Sequence, residues 1–521
     1  MLLFSAMVIP FAGCDTDTLH DLNVNPQSLN QINMNFLFSA AQLGAASGGA
    51  EGDNRYIDWR TNIGYCAYWM QHLANAGTGG LGAGDKYFEN VESDNAPWEF
   101  IYGGQLKNLT EVIKQTSEGG FEEGLRPNTL EAARILRAFL FFRLTDYYGN
   151  IPYAEAQAAF EGIYKPAYSS GQEIYAALLA ELEQAGANIS ASNPDNGFAA
   201  ADMYFKGDVT KWKKWANSLM LRYAMRMSNV DAAGASSYVN KALSGVGVMT
   251  SNADNVWVPM SETPSLWTNQ NGISRAFIPG DGGQSRVMSK TLIDQLKGPN
   301  TASTADDDPR LMIYTEGLNG NADPLIQAGM PNGLDVGTLD AYTGVVASNP
   351  NVLFSLVNIK LLDRADPYLL MGAFEVELLL AEAKERNIGT VPGTAKSHYD
   401  AGVKLAMQNW TPFDASLAIS DAAVTTYLTT YPYTDGGPDA LKMIGTQMWL
   451  GHYMNWWEAW SNYRRTGFPT LVEINYSGNV TQGKIPSRLR YPSHEVAVNA
   501  TNIAEGGTQP DNQTGKVFWD N

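Results

Sequence analysis

The sequence predicts a mainly α fold, built from neighbouring pairs of amphipathic helices and interrupted once by a loop-rich, partly irregular stretch. Three observations predict it. Apolar residues recur at steps of three and four through most of the chain, the spacing that gives a helix one buried stripe. Between residues 245 and 366 that pattern stops, and Gly, Pro, Asn and Asp punctuate short β-prone pieces such as NVWVPM (255–260) and NVLFSLVNIKLL (351–362). Finally, 44% hydrophobic residues against 17% charged supply a large core and exclude wholesale disorder.

The clearest helix runs from Thr129 to Tyr148. Asn128 stands at an N-cap position with Glu131 at capping-box spacing, and Ala133, Leu136, Leu140, Leu144 and Tyr147 form its stripe. Gly149 and Pro152 end it. A second helix starts near Asp208 and sets Trp212, Trp215, Leu219 and Tyr223 on one face. Further helical segments read at 105–117, 171–187, 232–244, 367–386, 395–409 and 439–464. Joined by short polar turns, these pairs resemble tetratricopeptide-like hairpins, although no clean 34-residue repeat is present. The irregular insertion carries Trp257, Trp267 and Phe277, and large apolar rings argue for an ordered loop face.

Residues 1–13, MLLFSAMVIPFAG, are uncharged and end in small residues directly before Cys14, as in a secretory signal. The run is too short to span a bilayer. FAGC resembles a bacterial lipobox, which implies cleavage before Cys14 and lipid attachment to it. Residues 14–34 then read as a lipidated tether and leader, and 35–521 as one domain with helical blocks at about 35–244 and 367–475. The only other cysteine, Cys66, reads as a buried thiol. A net charge of −19 repels phosphate backbones, which argues against nucleic acid as a partner.

Enzyme signatures are scarce. The sequence has no H-E-x-x-H, G-x-S-x-G or C-x-x-C, and its five histidines are scattered singly. Gly77, Gly79 and Gly82 form a G-x-G-x-x-G without a preceding strand, and G-x-x-x-x-G-K at 478–484 is followed by Ile485 where Ser or Thr is required. Asp306, Asp307 and Asp308, followed by Pro309 and Arg310, read as a capped turn. Glu375 and Glu377 lie two apart on a helix and so face different ways. Asn319, Asn321 and Asp323 space oxygens like part of a calcium loop, but the closing Glu is missing. No cofactor is expected. Glu458, Arg464 and Arg465, set among Trp460, Tyr463 and Phe468, read as a clamp between elements.

Several segments in order resemble signature blocks of the SusD/RagB family: FLFFRLTDYYGNIPYAEA (139–156), GDVTKWKKWANSLMLRYAMRMS (207–228) and EAWSNYRRTGFPTL (458–471). DPRLMIY (308–314), EVELLLAEA (375–383) and RLRYPSHEVAVN (488–499) match more briefly. The resemblance implies a superhelix of tetratricopeptide-like helix pairs carrying a loop-rich ligand face. It also implies a lipid-anchored protein of the outer membrane, facing outward. Such proteins cap a SusC-like TonB-dependent β-barrel transporter and deliver nutrients, most often glycans, without catalysis. A surface glycoside hydrolase on a helical scaffold and a peptide-binding adaptor stand as alternatives. Because the signature blocks are scaffold, ligand residues are sought among the loop aromatics. Tyr87 and Trp98 flank the polar loop 75–98, while Trp257, Trp267, Asn269, Arg275 and Phe277 lie in the insertion. The rings would stack on sugars, and Asn269 and Arg275 would donate to hydroxyls or carboxylates.

Overall fold

The computed structural model describes residues 32–47, 55–263, 269–279, 281–300 and 302–520, so Cys14 and Trp267 lie outside the described residues. Helices dominate. The first block holds α1 (Met34–Ser47), α2 (Val91–Phe100), α3 (Lys107–Thr116), α4 (Pro127–Tyr148), α5 (Gly171–Asn188), α6 (Val209–Met227) and α7 (Ala232–Ala242). The insertion contributes α8 (Lys290–Leu296) and α9 (Val336–Thr343). The second block holds α10 (Ala373–Glu385), α11 (Ala395–Met407), α12 (Asp421–Thr430), α13 (Gly437–Gly451) and α14 (Trp456–Thr466). Consecutive helices pack on one another, α3 on α4, α4 on α5, α5 on α6, α6 on α7 and α10 on α11. This is the tetratricopeptide-like arrangement. Helix α6 also meets α10, which joins the two blocks across the insertion.

Local chemistry explains the boundaries. Asp208 caps α6 by accepting from the N–H groups of Thr210 and Lys211, and Ser170 with Glu173 closes a full capping box on α5. At α4 the structure departs from the sequence reading. Pro127 occupies the first turn, and Asn128 is engaged elsewhere: its Nδ2 donates to Ser190 O (2.9 Å) and its Oδ1 accepts the Ser190 N–H (3.0 Å). The 367–386 segment also differs. Residues Tyr368–Met371 form a strand against Val256–Val258, and the helix begins only at Ala373. The expected helix at 439–464 is two helices, broken at His452–Asn455. Two further antiparallel pairs, Ile151–Pro152 with Tyr168–Ser169 and Thr315–Leu318 with Ser355–Val357, complete the strand content of the described residues.

One hydrophobic cluster runs through both helical blocks. Trp212 and Trp215 are fully buried on the inner face of α6, and Tyr223 stacks on Phe142 of α4 at 3.5 Å between ring centroids. The charges of this interior are paired across elements. Arg222 reaches Glu375 through two bonds of 2.5 and 2.6 Å, and His452 Nε2 stands 3.2 Å from the same carboxylate. Arg226 bridges Asp146 and Glu458. Arg465 grips Glu382, and Arg464 lies 3.7 Å over the Trp460 ring while donating to Asp146 O and Ser487 O. The clamp expected at 458–468 is therefore present, locking α14 to α4, α6 and α10. Burial opposes ionisation of Glu375, but Arg222 and His452 outweigh it and hold the carboxyl below the usual carboxylate range.

Candidate functional site

An open cleft of about 940 Å³ lies where the insertion meets the second helical block. One wall comes from α11, α12 and α13, which bring Tyr399, Tyr427, Tyr431, Lys442, Thr446 and Gln447 to its surface. The opposite wall is α8 with the chain beyond it, Lys290, Asp294 and Lys297, then Asp306 and Asp308 of the acidic turn. Tyr342 of α9 stands at the rim, 53% exposed. The segment Gln327–Gly329 lines the cleft next to α8, and a Cβ on Gly329 would meet Ser289 O at 2.3 Å, so glycine is required for that close approach.

Hydrogen bonds fix the deeper groups. Gln447 Nε2 donates to the Tyr427 hydroxyl (2.8 Å), and its Oε1 accepts from Arg310 (2.8 Å). Arg310 in turn pairs with Asp308 (2.6 Å), so the capped-turn reading of 306–310 holds. The Tyr431 hydroxyl donates to Asp306 O (2.8 Å). Burial and the neighbouring carboxylates raise the pKa of both Tyr427 and Tyr431. Their hydroxyls therefore stay protonated and uncharged at neutral pH. Asp306 spends one oxygen on the Asn300 N–H (3.0 Å), while its other, Oδ1, is buried without a partner. Rings with polar edges and amides form a lining suited to a hydroxyl-rich ligand.

The loop aromatics sit elsewhere. Tyr87 is fully buried, held in a left-handed conformation (φ 58°) as the C-cap of the turn Gly80–Lys86. Trp98 is enclosed by Tyr102, Tyr148, Tyr168 and Tyr491. Arg275 is buried against Asp281, and Phe277 packs by Trp456. The packed chain covers these four side chains, which corrects the expectation that Tyr87, Trp98 and Phe277 offer faces for stacking and that Arg275 donates to a ligand. Trp257 is half-buried on a strand edge against Phe413, beside a narrow hollow that Trp410 and Tyr453 also line. Asn269 is half-buried, and its carbonyl accepts the Ser261 N–H. In the Asn319–Asp323 turn, Asn321 Oδ1 accepts the Asp323 N–H and Asp323 Oδ1 accepts the Leu325 N–H. Those oxygens are spent on the backbone. Sequence reasoning missed the cleft tyrosines. Their signal was Tyr427 and Tyr431 four apart in a threonine-rich segment followed by Pro432.

Residues 26–492 match a SusD-like family described as "Starch-binding associating with outer membrane". No curated protein matches the chain. Among solved structures, a chitin-binding protein is 30% identical, with a TM-score of 0.78, and the match covers 94% of this chain and all of that one. A chitin-binding SusD homologue from Flavobacterium johnsoniae shares the fold at 22% identity and a TM-score of 0.73, covering 94% of this chain and 98% of the other. A SusD homologue from Bacteroides uniformis does so at 23% identity and a TM-score of 0.73, covering 93% and 99%. Family match, full-length likeness and paired-helix architecture agree: this chain belongs to the SusD-like family.

Proposed function

We propose that this chain is a glycan-binding lipoprotein of the outer membrane, anchored through Cys14, that caps a SusC-like TonB-dependent β-barrel transporter and hands it ligand for import. The observation that carries this reading is the end-to-end likeness to a chitin-binding protein at 30% identity. The tyrosine-lined cleft supports it, because uncharged hydroxyls and ring edges bind sugars without chemistry. Capture is a population shift: a ligand touched by both lid and barrel favours the closed pair. Trp257, half-buried at its strand edge, offers a second contact on the loop face. Two experiments test the reading. Titration calorimetry against chitin, starch and cellulose oligosaccharides should give saturable heat with no new reducing ends. Mild detergent extraction should recover a β-barrel partner. Release of reducing ends would install the hydrolase reading instead.

A further inference from the structure

The narrow hollow beside Trp257 lies between the strand pair of Val256–Val258 with Tyr368–Met371, the chain just beyond α11, and the break between α13 and α14. Trp257, Tyr368, Trp410, Phe413 and Tyr453 give it ring walls, and none of its lining side chains is charged. Its volume is about 20 Å³, room for one or two groups the size of a water. A sugar ring cannot enter it, but a small substituent can.

Most polar groups around the hollow are spent. Asn271 Nδ2 donates to Asp366 O (3.0 Å), and its Oδ1 accepts the Ile273 and Ser274 N–H groups. Trp410 Nε1 donates to Ala406 O (3.1 Å), and the Tyr368 hydroxyl donates to Asp58 (2.9 Å). Asn409 Oδ1 accepts from Asn255 (2.7 Å), and Asn455 Oδ1 is enclosed. Among the described residues, the lining groups left without a partner and not enclosed are all donors: Asn409 Nδ2, Asn455 Nδ2 and Trp257 Nε1. Asn409 and Asn455 are only 3% and 8% exposed, so the hollow they line is where their free N–H groups open.

We infer that the hollow is an acetyl subsite. A sugar ring rests on Trp257 and Phe413 at the mouth while its acetyl group enters, the carbonyl oxygen accepting from the Asn409 and Asn455 amides and the methyl lying against the inner rings. A hydroxyl would bring its own proton where only donors are open. A carboxylate would enter with no cation to answer it. The assignment rests on the glycan-binding reading above and adds to it the substituent that is read and the residues that read it.

Calorimetry on the full-length chain tests it with two pairs of neutral probes matched in backbone. Chitohexaose against cellohexaose presents acetyl on nitrogen, and O-acetylated against saponified xylohexaose presents it on oxygen. In at least one pair the acetylated member should bind about tenfold or more tightly, and the pair that responds names the linkage. Asn455→Ala removes an amide with no bond among the described residues. It should bring the acetylated probe down to its unacetylated partner with the melting temperature unchanged. Trp257→Phe keeps a ring, removes the Nε1 donor, and should lower the preference by a smaller factor. A preference that survives intact in both variants would overturn the hollow as its source. Equal affinity within both pairs would overturn the acetyl assignment, leaving a hollow that holds only water and the glycan reading intact. No binding by any probe would overturn both.

Discussion

The ion lattice of the helical blocks and the cleft beside α12 both draw on tyrosine, arginine and acid, yet they are wired differently. In the lattice four of the family-matching blocks supply charges that another block answers: Asp146 and Arg226, Arg222 and Glu375, Glu382 and Arg465. All six side chains are at least nine-tenths buried. At the cleft the pairs are local, Lys290 with Asp294 or Asp308 with Arg310, and Tyr342 stands exposed at the rim. A buried charge without its partner is costly, so lattice residues must be retained together. A rim residue can change without that penalty. The segments that mark the family therefore mark its scaffold, and ligand choice falls to the residues between them.

The sharpest way to break this contrast is to remove one lattice partner. Glu375→Ala leaves His452 buried without its carboxylate and Arg222 with only the 3.7 Å contact to Glu458, and should cost about 3–5 kcal/mol in urea denaturation. A loss near that of an ordinary surface substitution would show that the lattice is not one unit. Acid reads the same feature in the native chain. Arg465 and Arg386 outweigh burial and hold Glu382 low, as Arg222 does Glu375. A carboxylate with a depressed folded pKa stabilises above its unfolded value near 4.5, and that contribution is lost as pH falls through the folded one. The melting temperature should therefore drop progressively below about pH 4.5, and the slope should shrink in Glu382→Gln.

The scaffold was legible because period and turn chemistry are local. The stripes of α4 and α6 and the Asp208 cap are set by residues within a few positions. What failed needed partners far along the chain. Asn128 reads as a cap until Ser190, 62 residues away, claims its side chain. Tyr368 reads as helix until its strand pairs with Trp257 and its hydroxyl finds Asp58. The ligand residues were illegible for a related reason. Aromatic loop residues look alike whether packed or open, and Trp98 meets four tyrosines from four separate segments. Tyr427 and Tyr431, four apart, look like a core stripe, and only the fold shows that they wall a cleft.

Tyr431 allows the finest cut, because it belongs partly to each region. Its ring lines the cleft, while its hydroxyl ties α12 to the acidic turn through Asp306 O. Tyr431→Phe removes the tie and keeps the ring. One net hydrogen bond is worth about 0.5–1.5 kcal/mol, so the melting temperature should fall slightly. Oligosaccharide affinity should change much less than in Tyr431→Ala, because the stacking face survives. The opposite ordering, with Phe as damaging to affinity as Ala, would mean that the position of the acidic turn recognises the ligand and that the ring serves the scaffold. Asp306 would then be the group that α12 holds in place, and the boundary between lattice and cleft would have to be drawn through the Tyr431 hydroxyl.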